Sequence, residues 1–183
     1  MRRWFILSAI GQDRPGLVAE LAALIYDAEA NLEDSRMTIL GTDFAVILLA
    51  SSNDSGCADR VAQAAKRLER DHGLTILIRS LEGGPRPGIP APGFHLWEVR
   101  AEGEDRAGIV AGICRCLATH GVNIVDLDTR SRPGPGGSPH YEMRIRAEVP
   151  ERLEIETLRV ALDGEADRLV IGVALTPPHD DAH

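Results

Sequence analysis

Two glycines five residues apart, an acid and a base between them and an asparagine fifteen residues further on recur in this chain. The first set is Gly11, Asp13, Arg14, Gly16 and Asn31; the second is Gly103, Asp105, Arg106, Gly108 and Asn123, each 92 positions beyond its counterpart. Each set spans a glycine turn followed by an amphipathic run. Such a turn, placed where a strand passes into a helix, presents unpaired amide hydrogens and the positive end of the helix dipole, which attract a carboxylate. Glycine lets backbone approach a ligand with no Cβ in the way. Asparagine offers a donor and an acceptor together. An ammonium–carboxylate ligand, that is a free amino acid, suits this set of groups.

Each residue also has a purely structural alternative. Asp13 and Asp105 are placed to cap the following helices, and Arg14 and Arg106 to be solvated or paired locally. Asn31 and Asn123 tolerate a left-handed turn at a helix end, and the glycines suit the turn geometry by themselves. No catalytic set accompanies them. His72, His95, His120 and His140 are dispersed, without a glutamate at zinc-site spacing or a cysteine at a useful distance. Cys114 and Cys116 point in different directions on a helix, so they read as core or helix-flank filling rather than metal ligands. His179 and His183, with Asp180 and Asp181, sit in a polar tail. The reading is of a non-enzyme with no cofactor and no metal.

The repeat dictates the elements that carry the turns. Residues 4–10 are an apolar strand entering the first turn, with Pro15 suited to a first helical turn. Leu17, Val18, Leu21, Leu24, Ile25 and Ala28 follow at helical spacing. Strands are expected over 32–40 and 44–50, a second helix through Val61, Ala64, Ala65 and Leu68 up to Gly73, and a strand over 74–80. The second copy repeats the order, with strands over 94–101, 124–132, 140–149 and 169–175. Its helices carry Ile109, Val110, Ile113 and Leu117, and then Leu158, Ala161 and Leu162. Strand–helix–strand–strand–helix–strand is the split βαβ plan. The fold class is therefore α+β: two ferredoxin-like βαββαβ units, each a four-stranded antiparallel sheet with two helices on one face. The units span 1–82 and 94–176. A proline- and glycine-rich linker joins them over 83–93, and a disordered tail follows over 177–183.

The two sheets differ. Tyr141, Met143, Ile145, Ala147 and Val149 alternate with Glu142, Arg144, Arg146 and Glu148, which gives a strand with one wet face. Residues 44–50 contain no polar side chain, so the outer face of the first sheet is expected to be covered, by the second unit or by a second chain.

A net charge of −8 and pI near 5.2, with basic residues scattered among acids, speak against direct nucleic-acid binding. Aromatic residues at 4% leave no stacking platform for RNA. No stretch is apolar for long enough to cross a membrane, and the Met-Arg-Arg start lacks the apolar core of a signal peptide, which points to the cytoplasm.

A Gly-x-Asp-Arg-Pro-Gly-type turn between strand and helix, a following asparagine and a βαββαβ order resemble the ACT domain, a small regulatory module that binds amino acids between paired units. Within that group, residues 31–37, Leu40-Gly41 and the linker Pro85-Arg86-Pro87-Gly88-Ile89-Pro90 look like the glycine cleavage system transcriptional repressor family. The resemblance implies an amino-acid-sensing regulator, with glycine or serine as ligand, that forms a homodimer and acts by contacting a transcriptional activator protein. The ligand residues it implies are Gly11, Asp13, Arg14, Gly16 and Asn31, with Gly103, Asp105, Arg106, Gly108 and Asn123. The alternative is an ACT pair without a ligand that serves assembly alone. Two departures stand out: Ala107 replaces the proline found at Pro15, and Glu29 stands where the second unit has Gly121. These imply a looser turn in the second copy and a strained helix end in the first.

Overall fold

The computed structural model describes residues 2–86, 88–134 and 138–178. Cα proximity divides the chain into two compact units, Met1–Pro85 and Arg86–His183. The first contains β1 (Arg3–Gln12), α1 (Leu17–Asp27), β2 (Asn31–Leu40), β3 (Asp43–Ser52), α2 (Cys57–His72) and β4 (Thr75–Leu81). The second contains β5 (Phe94–Glu104), α3 (Ile109–Thr119), β6 (Asn123–Pro133), β7 (Pro139–Pro150), α4 (Ile155–Leu169) and β8 (Ile171–Thr176). The sheets run β2-β3-β1-β4 and β6-β7-β5-β8, antiparallel throughout. This is the duplicated ferredoxin-like plan that the repeat implies. Of the expected disordered tail, residues 179–183 lie outside the described residues.

Alternation along the central strands builds each core. Phe5, Leu7 and Ala9 of β1 and Phe44, Val46, Leu48 and Ala50 of β3 point inward, against Leu17, Leu21, Leu24 and Ile25 of α1 and Val61 and Ala65 of α2. In the second unit Val99 and Ala101 join Met143, Ile145, Ala147 and Val149 against Ile109, Ile113, Leu117, Leu158 and Leu162. Cys114 and Cys116 flank this core, and burial pushes both thiols up in pKa.

The apolar run of β3 hides a half-and-half strand. Phe44, Val46 and Leu48 are buried, yet Ile47 is 54% exposed on the other face, next to Ile10 at 52% and Leu77 at 67%. The outer face of the first sheet therefore carries exposed apolar side chains at these three positions. The edge strand β2 is exposed along its whole length.

Backbone conformation accounts for some of the glycines and close packing for others. Gly73 ends α2 in the left-handed conformation, as its position after His72 suggests. Gly11 and Gly103 serve packing: a Cβ would lie 2.7 Å from Leu74 Cδ2 in the first unit and 2.9 Å from Ile171 Cγ2 in the second, with the Ile171 backbone only 3.2 Å away. At the end of α1 the left-handed residue is Glu29 (φ 61), whereas the matching position after α3 is Gly121 (φ 70). The strain expected at Glu29 is thus present, since a side chain there crowds its own carbonyl.

Two stability measurements check these points. Gly103→Ala should destabilise the chain by about 1–3 kcal/mol in a denaturant titration, because backbone blocks relaxation. Glu29→Gly should stabilise it by about 1 kcal/mol, by relieving the left-handed strain.

Candidate functional site

Both turns place a glycine in the left-handed conformation directly before a helix. Gly16 (φ 95) is the N-cap of α1 and Gly108 (φ 100) that of α3, and neither helix has a side-chain cap. The Gly16 carbonyl accepts from the Glu20 amide and that of Gly108 from the Gly112 amide, so the helices begin cleanly. Their first-turn amides are left without a capping oxygen. This corrects the expectation that Asp13 and Asp105 cap the helices. Pro15 likewise stands before the cap rather than inside the first turn.

The backbone of each aspartate instead pins the turn to the neighbouring hairpin: Asp13 N–H donates to Thr42 O and Asp105 N–H to Pro139 O, both at 2.9 Å. Ser131 Oγ donates to Asp105 Oδ2 at 2.7 Å. Arg14 is paired locally, its two terminal nitrogens donating to Glu20 Oε1 and Oε2 at 2.9 and 2.7 Å. That bidentate bond holds the Glu20 carboxyl below its usual range and raises Arg14, with His72 Nε2 3.4 Å from Glu20 on the other side. Arg106 pairs with Glu104 at 2.6 Å.

The asparagines are elsewhere. Asn31 pairs with Ser51, which pairs with Trp4, whereas Gly11 lies seven residues further along β1. At about 3.3 Å per residue the asparagine is roughly 23 Å from the turn of its own unit. Asn123, Glu148 and Leu96 repeat the relation to Gly103. Each unit therefore has a turn pole and an asparagine pole, and no small ligand touches both. Neither asparagine is in the left-handed region; each opens a strand.

The two asparagine poles differ. Asn31 lines an open cavity of about 730 Å³ with Arg2, Tyr26, Asp27 and Asn53. Asn123 is engaged: its Nδ2 donates to Glu148 Oε2 at 2.9 Å. Glu148 also receives the Arg86 guanidinium and the Ala91 amide at 2.7 Å. The wet alternation read from β7 thus fails at Glu148, which is fully buried because the segment before β5 lies over it.

Sequence reasoning also passed over Tyr141, which pairs with Gly103 at the second turn pole. Its buried hydroxyl makes no hydrogen bond of good geometry. Burial pushes the phenol up in pKa, against a smaller opposing influence of Thr129. The first unit has Phe44 in this register, so comparing the two copies at that position was the available signal. Among the described residues no group of three or more His, Cys, Asp or Glu side chains could hold a metal ion. No helix among them is long and apolar enough to cross a membrane.

The Glu148 cluster has a pH consequence. Burial raises the carboxyl, but Asn123, Arg86 and the Ala91 amide together outweigh it, so the folded pKa lies below the ordinary 4.5. A depressed folded pKa gives stability that is fully present above the ordinary value and lost as pH falls through the folded one. Acid titration of stability should show this loss in the native chain and a weaker pH dependence in Glu148→Gln. Arg86→Ala should cost about 2 kcal/mol at neutral pH, at the low end for a charged hydrogen bond because Arg86 is half-exposed.

Comparison with known proteins agrees with this architecture. Residues 3–79 match the family model of the ACT domain. The chain is 28% identical over 162 residues to the glycine cleavage system transcriptional repressor of Escherichia coli (strain K12), covering 87% of this chain and 82% of that one. A crystal structure of an unknown protein from Galdieria sulphuraria superposes with a TM-score of 0.81 at 30% identity, over 96% of this chain and 98% of that one. That of a candidate glycine cleavage system transcriptional repressor superposes with a TM-score of 0.71 at 20% identity, over 96% and 97%, and shows the shared fold. Residues 3–79 thus match the ACT domain, the second unit repeats the same strand and helix order, and the chain resembles the glycine cleavage system transcriptional repressor over most of its length.

Proposed function

We infer that this protein is an amino-acid-sensing regulator that acts through protein–protein contacts. The observation that carries the reading is the pair of uncapped helix N-termini at Gly16 and Gly108. A carboxylate docked there completes the first-turn amides and meets the positive end of the dipole. Glycine or serine is small enough to sit in such a turn, and similarity to a protein called the glycine cleavage system transcriptional repressor favours glycine.

The residues proposed to serve the ligand are those of the two poles. Gly16 and Gly108 supply backbone amides, with Asp13 and Asp105 beside them to receive an ammonium. Arg14 and Arg106 steady the turns through Glu20 and Glu104, and Gly11 and Gly103 keep the strand ends close to their neighbours. Tyr141 adds a hydroxyl with an unused hydrogen bond at the second turn. Asn31 and Asn123 serve the opposite poles; Asn31 lines a cavity, and Asn123 is bonded to Glu148. Ligand binding shifts the regulator between states by its difference in affinity for them.

A homodimer and a transcriptional activator as partner complete the reading. The surface supports contact with protein rather than nucleic acid: the chain carries a net charge of −8, and Ile10, Ile47 and Leu77 form an exposed apolar face.

A thermal-shift series with glycine, serine and other amino acids tests the reading. A ligand at a hundred times its dissociation constant should add about 2.7 kcal/mol of stability. Tyr141→Phe should leave the unliganded protein at least as stable as before, since a buried hydroxyl without a good partner costs stability. Absence of any shift at millimolar amino acid would favour the ligand-free assembly reading instead.

A further inference from the structure

The outer face of the second sheet carries a charge pattern that the first sheet lacks. Register places Arg100, Arg144 and Asp128 side by side in one row across β5, β7 and β6. The next row along the strands is Glu102, Glu142 and Arg130. All six are exposed, and they border a trough of about 670 Å³ where Gly172 and Ala174 of β8 contribute almost no side chain. Like charges directly opposite each other across a strand pair are unfavourable. Yet Arg100 faces Arg144, and Glu102 faces Glu142.

The fold does not require this. The corresponding rows of the first unit are Ser8, Ile47 and Arg36, and then Ile10, Ala45 and Thr38. Both arginines also have partners within the chain: Arg100 is tied to the buried Glu98, and Arg144 lies 3.8 Å from Asp128.

Along every strand, position by position, the second row inverts the first: Arg100 to Glu102 on β5, Arg144 to Glu142 on β7, Asp128 to Arg130 on β6. A two-fold axis lying in the plane between two facing sheets, parallel to the rows and midway between them, carries one row onto the other. A second copy applied about that axis sets Arg100 over its Glu102, Arg144 over its Glu142 and Asp128 over its Arg130, each contact made twice. Sheets packed face to face lie about 10 Å apart, a gap that an arginine and a glutamate meeting end to end can span. In the flanking rows Glu98 and Glu104 are neutralised within the chain by Arg100 and Arg106, which confines the complementarity to the two central rows.

We propose that the outer face of the β6-β7-β5-β8 sheet is a self-complementary homodimer interface, in which Arg100, Arg144 and Asp128 of one copy pair with Glu102, Glu142 and Arg130 of another. A two-fold contact uses one patch on both subunits and demands this self-complementarity, and charge placement fixes partner and register. The inference rests on the homodimer of the proposed function, whose interface it assigns, and not on ligand recognition at the turns. The contact is electrostatic and therefore salt-sensitive, since screening shortens from about 10 Å at 0.1 M salt to about 3 Å at 1 M.

Sedimentation equilibrium of the full chain at low and high salt is the test, with circular dichroism confirming that each variant is folded. Self-association should weaken at least tenfold between 50 mM and 500 mM sodium chloride, and Arg144→Glu should weaken it at least tenfold at low salt. The double variant Glu142→Arg/Arg144→Glu inverts β7 in both rows and so restores the pattern. It should associate with itself as native chain does, but should not form mixed dimers with native chain. A native chain that stays monomeric at low salt, an association indifferent to Arg144→Glu, or a double variant that mixes freely with native chain would each overturn the proposal. In the first case a small charged ligand or a different protein becomes the occupant of the trough.

Discussion

The rest of the structure depends on how an antiparallel sheet fixes distance. Once β1 is paired to β3, Gly11 is committed to the Phe44 end of the sheet and Asn31, through Ser51, to the Trp4 end. Extended backbone cannot be compressed, so the two groups most suited to an amino acid stand roughly 23 Å apart in each unit. The helix that connects them runs back along the sheet. Its N-terminus is open, because a left-handed glycine rather than a side chain occupies the cap. Dipole, free amides and absence of a capping oxygen all act at one end, and the asparagine acts at the other.

Duplication has preserved this backbone frame and released the surfaces. Gly16 and Gly108 differ by only 5° in φ, while on the outer sheet faces Ser8, Ile10, Ala45 and Ile47 stand where the second unit has Arg100, Glu102, Glu142 and Arg144. The asparagine poles have diverged too. Asn31 opens on a cavity, whereas Asn123 is one of three donors to a buried carboxylate that also fastens the segment before β5. A buried charge with three donors is stable only as a complete set, which makes that segment a structural part of the second unit and not merely a spacer.

Much of this was legible in residue order. The 92-residue repeat, the period-two strands and Gly73 as a helix stop all follow from local chemistry, and the unit architecture follows from them. The site was legible as a set of residues but not as a geometry. Asparagine and turn are close in sequence, and only strand pairing reveals that they are far apart in space. Asp13 satisfied every local rule for a cap, yet the chain makes Gly16 the cap and uses the Asp13 amide to hold Thr42. Gly11 gave no sign of Leu74, sixty-three residues away, which is the neighbour that forbids a side chain there. Glu148 fitted the wet face of β7 by alternation, and nothing local to it announced Arg86 and Ala91. Each miss is a tertiary contact overriding a local pattern.

The central claim is that the two glycine turns hold a small amino acid through helix-opening amides. It is tested most directly by following backbone amide resonances of the isotope-labelled chain during titration with glycine and serine. The account predicts saturable shifts at Gly16, Leu17 and Val18 and at Gly108, Ile109 and Val110, larger than those anywhere in the strands. Saturable shifts confined to other regions, or none at either turn at millimolar amino acid, would contradict it.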